Sequence, residues 1–298
     1  MASDQIEKSY AAHAETYSKH ASDEEVERYA HWFENKTVDL WRHERMFNHT
    51  QPFLKHESNA TWLTIADGRF GTAARYLESN GAQVVASDID SRLLQIAQNK
   101  GWITEFRNEN AEAISFNSES FDFLYCKESY HHFPRPFMAV YEMLRVARKA
   151  IIFTEPAEFR PLPPIGEMLR YIKNRFRSHS IHADEGMYEE IGNYIYTISE
   201  REFEKVALAL NLPAVAFLRF HDSYSEGCED EQYSENGPHR KIIEKQISKA
   251  QIFAALGLMR LNHITAVIFK ELPSTELTVA LRQVGFDVRI LPRNPILK

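Results

Sequence analysis

Residues 62–90, WLTIADGRFGTAARYLESNGAQVVASDID, constrain this chain most, because they read as strand, tight loop, helix, turn and strand. The first run, Trp62 to Ala66, is apolar with β-branched members and stops at a loop presenting Ala66, Gly68 and Gly71 in a spacing like G-x-G-x-x-G. Thr72 to Glu78 supplies good helix formers, and Asn80-Gly81 ends that helix with residues that tolerate a left-handed cap. A second strand, Gln83 to Ser87, then delivers Asp88 about twenty residues beyond the loop, where an acid at a strand end holds two ribose hydroxyls. The unit reads as a nucleoside-binding βαβ.

Charge in the loop discriminates between nucleosides. A pyrophosphate wants a helix N-terminus free of nearby anions. Asp67 lies inside the loop, where it repels a pyrophosphate and attracts an ammonium or sulfonium, with Arg69 as a partial offset. The electrostatics favour S-adenosylmethionine over a dinucleotide.

The alternation continues beyond Asp88. Asp90 and Ser91 start a helix whose apolar face is Leu93, Leu94 and Ile96, ending near Lys100-Gly101. A third strand is expected around Thr104–Arg107, a fourth at Phe121–Cys126, a helix from Arg135 to Arg148 and a fifth strand at Ala150–Pro156. Such alternation predicts a parallel sheet with helices on both faces. Later, Ser199 and Glu202 have the capping-box spacing of a helix start, and strands at Ala214–Phe220 and His263–Lys270 are expected to pair as an antiparallel hairpin closing the sheet. Two insertions remain, 157–197 and 221–262, the second reading as a surface excursion; the tail repeats a helix-then-strand cue and offers a further closing strand.

With 298 residues, 44% of them hydrophobic and 26% charged, a large core is feasible, and no long uncharged apolar run suggests a membrane span. A net charge of −7 argues against general nucleic-acid affinity. Asp4 and Glu7 stand where a secretory leader would be apolar, so the cytoplasm is the expected compartment. Cys126 and Cys228 are too far apart for a disulfide framework or metal cluster, and the apolar neighbours of Cys126 make it a buried small hydrophobe. Residues 5–50 hold no glycine or proline, and Tyr10, His13, Tyr17 and His20 recur at helical spacings. They read either as core-packing helices or as a lid across the site.

Residues 60–157 resemble the class I S-adenosylmethionine-dependent methyltransferases. The resemblance rests on LTIADGRFG (63–71), ASDID (86–90), NENAEAISF (108–116), SFDFLYCKESYHHFPRP (120–136) and MLRVARKAIIFTEP (143–156), in family order. It implies a Rossmann-like fold with S-adenosylmethionine across the strands' carboxyl ends and S-adenosylhomocysteine as product. The implied cofactor residues are Ala66, Asp67, Gly68 and Gly71 in the loop, Asp88 and Ile89 after the second strand, Asn110 and Ala111 on the adenine side, and Lys127 after the fourth strand. Thr64 stands where relatives carry an acid, Ala66 where they carry glycine, and Asn110 where an acid is common. Either Asp67 replaces the acid missing at Thr64 or donor binding is weak. Ala66 is expected to keep φ below zero, since a Cβ at positive φ costs about 1–2 kcal/mol.

Methyl transfer is an in-line displacement, so the protein aligns the nucleophile and removes its proton. A positioned base adds about 10²–10⁴-fold. His131 and His132, after the fourth strand, are the candidate bases, with Glu128 and Tyr130 as neighbouring substrate contacts and His221-Asp222 as a secondary candidate. No metal-ligand spacing stands near the fourth strand, so a metal-free reaction is expected. Arg170, Lys173, Arg175 and Arg177 read as a solvated helix face or as an anion site. The expected organisation is a helical lid (1–50), a cofactor-binding core (51–156), and the rest of the sheet with acceptor-side insertions (157–298). The expected function is O-methylation of a small polar or sugar-like acceptor, without nucleic-acid or membrane partners and with a homodimer left open. An inactive methyltransferase-fold binding protein and an RNA methyltransferase stay open as alternatives.

Overall fold

A single sheet of eight strands organises the computed structural model, which describes residues 2–19, 22–34, 36–158, 168, 188–189 and 193–296. The strands are β1 (Thr61–Ile65), β2 (Gln83–Asp88), β3 (Phe106–Asn108), β4 (Phe121–Lys127), β5 (Ala147–Pro156), β6 (Ala214–Phe220), β7 (His263–Phe269) and β8 (Asp287–Ile290). Their order is β3-β2-β1-β4-β5-β7-β6-β8. The first five pair in parallel; β7 runs antiparallel to both β5 and β6, as the hairpin expectation required. The tail adds β8, antiparallel to β6, at the sheet's edge.

Period-two alternation sends each strand's side chains to two separate cores. Ala150 and Ile152 of β5 join Phe53, Trp62 and Phe123 on one face, while Ile151 and Phe153 join Leu124, Tyr130 and Phe203 on the other. Strands buried on both faces read as continuous apolar runs, and β4 and β5 do.

The described helices are α1 (Ala2–Lys19), α2 (Asp23–Glu34), α3 (Val38–Phe47), α4 (Gln51–His56), α5 (Thr72–Ser79), α6 (Arg92–Asn99), α7 (Pro136–Val146), α8 (Glu200–Ala209), α9 (Pro238–Ala255) and α10 (Thr275–Val284). No described helix is long and apolar enough to cross a membrane. Aromatic packing fixes the N-terminal helices. Tyr29 of α2 meets Phe70 of the β1 loop at 4.5 Å between ring centroids, and Phe33 meets Trp102 at 4.9 Å.

Two expectations need correction. Ser199 precedes α8 but its hydroxyl makes no cap bond; the Glu202 amide donates instead to the Ser199 carbonyl at 3.2 Å. Glu200 accepts from Arg219 and Arg289, so charge pairing at the β6–β8 edge anchors this helix start. The 221–262 segment is no mere surface excursion: it carries α9 and docks on α3, where Val38 and Asp39 amides donate to the Glu231 and Cys228 carbonyls at 2.8 and 3.0 Å. The PLPPIG connector and the cluster Arg170, Lys173, Arg175 and Arg177 lie outside the described residues.

Candidate active site

The carboxyl ends of the parallel strands open onto a cavity of about 540 Å³, within the roughly 300–1,000 Å³ of small-molecule sites. Ile65 pairs with Cys126, which sets Ala66 beside Lys127 at the strand ends. Ala66, Asp67, Asp88, Ile89, Asn110, Ala111 and Lys127, seven of the sequence-derived cofactor residues, line it.

Gly68 and Gly71 do not line the cavity; they shape it. A Cβ on residue 68 would lie 2.5 Å from Asp88 Oδ2, so only glycine lets the loop approach that carboxylate. Gly71 adopts φ +67° as the residue before α5. Asp88 is 2% exposed and accepts from the Asp90 amide at 2.9 Å. Burial pushes its carboxyl up to about 7, with the neighbouring charges of Asp67 and Asp90 adding to the effect and the Asp90 and Gly68 amides opposing it. A ribose diol donating two hydrogen bonds would favour the ionised form.

Asp67 does more than the sequence suggested. Its carboxylate accepts from the Ala73 and Ala74 amides at 3.1 and 2.8 Å and from the Thr64 hydroxyl at 3.0 Å. The residue before α5 offers no side-chain cap, so Asp67 caps the helix from within the loop. Burial raises its carboxyl to about 6 against those donors. Thr64 thus donates to the acid three residues on.

Ala66 departs from expectation. Its φ is +54°, not negative, and Phe70 and Glu128 also sit at positive φ, +56° and +50°. Backbone strain clusters at functional sites when the surroundings over-determine it. Here the Ser129 hydroxyl donates to the Ala66 carbonyl at 2.9 Å, and Phe70 is fully buried.

The two candidate histidines sit in a 3₁₀ turn, Tyr130–His132, after β4. His132 lines the cavity and its Nδ1 faces Glu189; His131 is turned to Glu155 Oε2 at 2.8 Å and is not among the lining residues. A carboxylate only accepts, so Nδ1 of each ring carries a proton and Nε2 of the neutral His132 is its acceptor nitrogen. Tyr10 and His13 of α1 also line the cavity. The Tyr10 hydroxyl donates to Glu112 at 2.7 Å. His13 Nε2 and Glu189 Oε2 lie 3.8 Å apart, buried, and neither has a hydrogen-bond partner among the described residues. The position of His20 lies outside the described residues, as does the side chain of Tyr17.

From Glu128 and Lys127 on the cavity wall a second polar cluster joins α3 to the C-terminal strands. Glu128, Asp222 and His263 stand close enough to share a cation. Arg42 already grips Asp222 at 2.9 and 3.0 Å, and Lys127 meets Glu128 at 2.5 Å, so the acids are compensated by side-chain cations and a divalent ion would have to displace both. Burial alone would raise the Glu128 carboxyl, but Lys127, His263 and His43 hold it well below the usual range. The candidate pair His221-Asp222 is not assembled as a base, since Asp222 serves Arg42.

Asp67, Asp88, Glu109, Glu112, Glu128 and Glu189 thus face the cavity against Arg69 and Lys127. This balance fits a sulfonium and ammonium and disfavours a pyrophosphate. Sequence reasoning missed Glu155 and Glu189. An acid ending the apolar run AIIFTEP was a legible sign of a buried, partnered carboxylate, whereas nothing in the sequence ties Glu189 to a loop 57 residues earlier.

Residues 63–153 match the family described as the methyltransferase domain. No curated protein sequence matches the chain. Among solved structures, a methyltransferase described as dependent on S-adenosylmethionine, from Archaeoglobus fulgidus, is 12% identical over 81% of this chain and 100% of its own, with a TM-score of 0.48. YcgJ of Bacillus subtilis is 17% identical over 76% and 100%, at 0.47. Magnesium protoporphyrin IX methyltransferase of Synechocystis, with bound S-adenosylhomocysteine, is 12% identical over 85% and 97%, at 0.45.

Proposed function

We propose that the chain, whose residues 63–153 match the methyltransferase domain, is a class I S-adenosylmethionine-dependent methyltransferase that methylates a hydroxyl of a small polar acceptor, with His132 as the base. The observation that carries this reading is the His132–Glu189 pair on the cavity wall, a base oriented by a carboxylate. Neutral amines are already nucleophilic; hydroxyls need a base.

When bound, S-adenosylmethionine supplies an electrophilic methyl group whose S–C electron pair returns to sulfur. Asp88 would accept from the ribose hydroxyls, the loop at 66–71 would hold the methionine end, and Asn110 and Ala111 would hold the adenine. His132 Nε2 would take the proton of the acceptor hydroxyl as its oxygen takes the methyl group, with Glu189 stabilising the imidazolium. Tyr10 and His13 would exclude water from the cavity. The carboxylate-rich lining favours an uncharged or cationic acceptor over a phosphorylated one. Transfer of labelled methyl to a pool of small hydroxyl compounds tests the reading, with amines and RNA as the competing acceptors.

A further inference from the structure

The turn after β4 carries two adjacent imidazoles, yet the cavity receives one. We propose that Glu155 is the positioning residue of the site, clamping His131 and the turn's backbone so that His132 alone presents its ring to the acceptor. The inference rests on the reading of His132 as base and assigns its neighbour a different task.

Glu155 lies near the end of β5, is fully buried, and collects four donors. Its Oε1 accepts from the Ser129 and Tyr130 amides at 2.7 and 3.0 Å and from the Cys126 thiol at 3.7 Å; its Oε2 accepts from His131 Nδ1 at 2.8 Å. Two amides, one thiol and one imidazole, from the three consecutive positions 129–131 and from Cys126 of β4, converge on a single side chain, which fixes the turn in one arrangement. A buried carboxylate without a cation is costly, and His131 is the group bonded to it that gains a proton.

The rings of His131 and His132 lie 3.9 Å apart between centroids. A proton held on His131 therefore disfavours one on His132, leaving the base free. The charges around the pair come from every side: Glu155 on β5, Glu128 in the turn, Glu189 in the 188–189 segment, and His13 on α1 with its ring 5.7 Å from His132. Burial lowers both imidazoles. Glu155 outweighs it at His131, which is raised, whereas at His132 burial and the His131 charge outweigh Glu189 and the net shift is down. Two adjacent groups whose environments push their protonation apart are an acid–base assignment.

The test is a pH titration of the histidine ring nitrogens by NMR on the full chain with S-adenosylhomocysteine bound, which needs neither an acceptor nor a variant. His131 is expected to titrate above a free imidazole and His132 below it. In Glu155→Gln, His131 should fall toward or below the free value, His132 should rise, and the ascending limb of the pH–rate profile should move to higher pH. Turnover should drop about ten- to a hundredfold through loss of alignment, with KM for the donor unchanged and partial rescue in Glu155→Asp. His132 titrating above His131, or Glu155→Gln lowering the rate with both titrations and the pH limb in place, would overturn the proposal. A normal titration in a protein that methylates no hydroxyl would defeat the proposed function while leaving the clamp standing.

Discussion

Gly68 and Asp88 are packed as one device: a Cβ at residue 68 would sit 2.5 Å from the Asp88 carboxylate oxygen. Gly68→Ala must therefore displace the acid. Charge-assisted bonds are worth about 1.5–3 kcal/mol, so Gly68→Ala and Asp88→Ala should each weaken S-adenosylhomocysteine on the order of ten- to a hundredfold by titration calorimetry. Unchanged affinity in both variants, or tighter binding of NAD by the native chain, contradicts the assignment.

Ala66 sits at φ +54°, where its Cβ is strained. Ala66→Gly relieves about 1–2 kcal/mol of native strain and gives back about 0.4–1 kcal/mol to unfolded-chain entropy. Denaturant unfolding should show a net gain of about 0.5–1 kcal/mol. A loss would mean that the neighbours, not the backbone, set the energy there.

The lesson of these two residues is where the sequence stops being legible. The parallel pairing of the first strands and the antiparallel hairpin of β6 and β7 followed from alternation and turn residues, and seven of the nine residues expected to hold the cofactor lie on the cavity wall. Those signals are local and periodic. The conformation of Ala66 was misread because it is imposed by tertiary contacts, among them the Ser129 hydroxyl. The partners of His131 and His132 are 24 and 57 residues away, a separation that no short motif encodes.

Asp67 links helix stability to the site. Asp67→Ala strips the acceptor from the Ala73 and Ala74 amides, and the loss of a helix cap costs about 0.5–2 kcal/mol. Chemical unfolding should register that loss. Because the carboxylate also lines the cavity, S-adenosylhomocysteine should weaken more than adenosine; equal losses would reduce Asp67 to a cap.

The pH dependence has a definite sign. Asp88 is raised to about 7 and Asp67 to about 6 by burial. A carboxyl raised on folding contributes stability below its unfolded value, about 3.9, and that contribution is lost as pH rises through 6 and 7. These two groups thus weaken the ligand-free chain between about pH 4 and 7. Ribose hydroxyls that donate to ionised Asp88 should drive proton release on binding. Calorimetry near about pH 6.5 in buffers of different ionisation enthalpy measures it. Release is expected in the native chain and should shrink in Asp88→Asn; net uptake would contradict the arrangement.

The most direct test of the central claim follows labelled methyl from S-adenosylmethionine into a pool of small hydroxyl compounds, amines and RNA, with and without chelator, for the native chain and for His132→Gln. Label should enter the small hydroxyl fraction, persist with chelator, and fall about 10²-fold or more in His132→Gln while S-adenosylhomocysteine affinity is kept. Label in RNA, loss of activity with chelator, or full turnover in His132→Gln would contradict it.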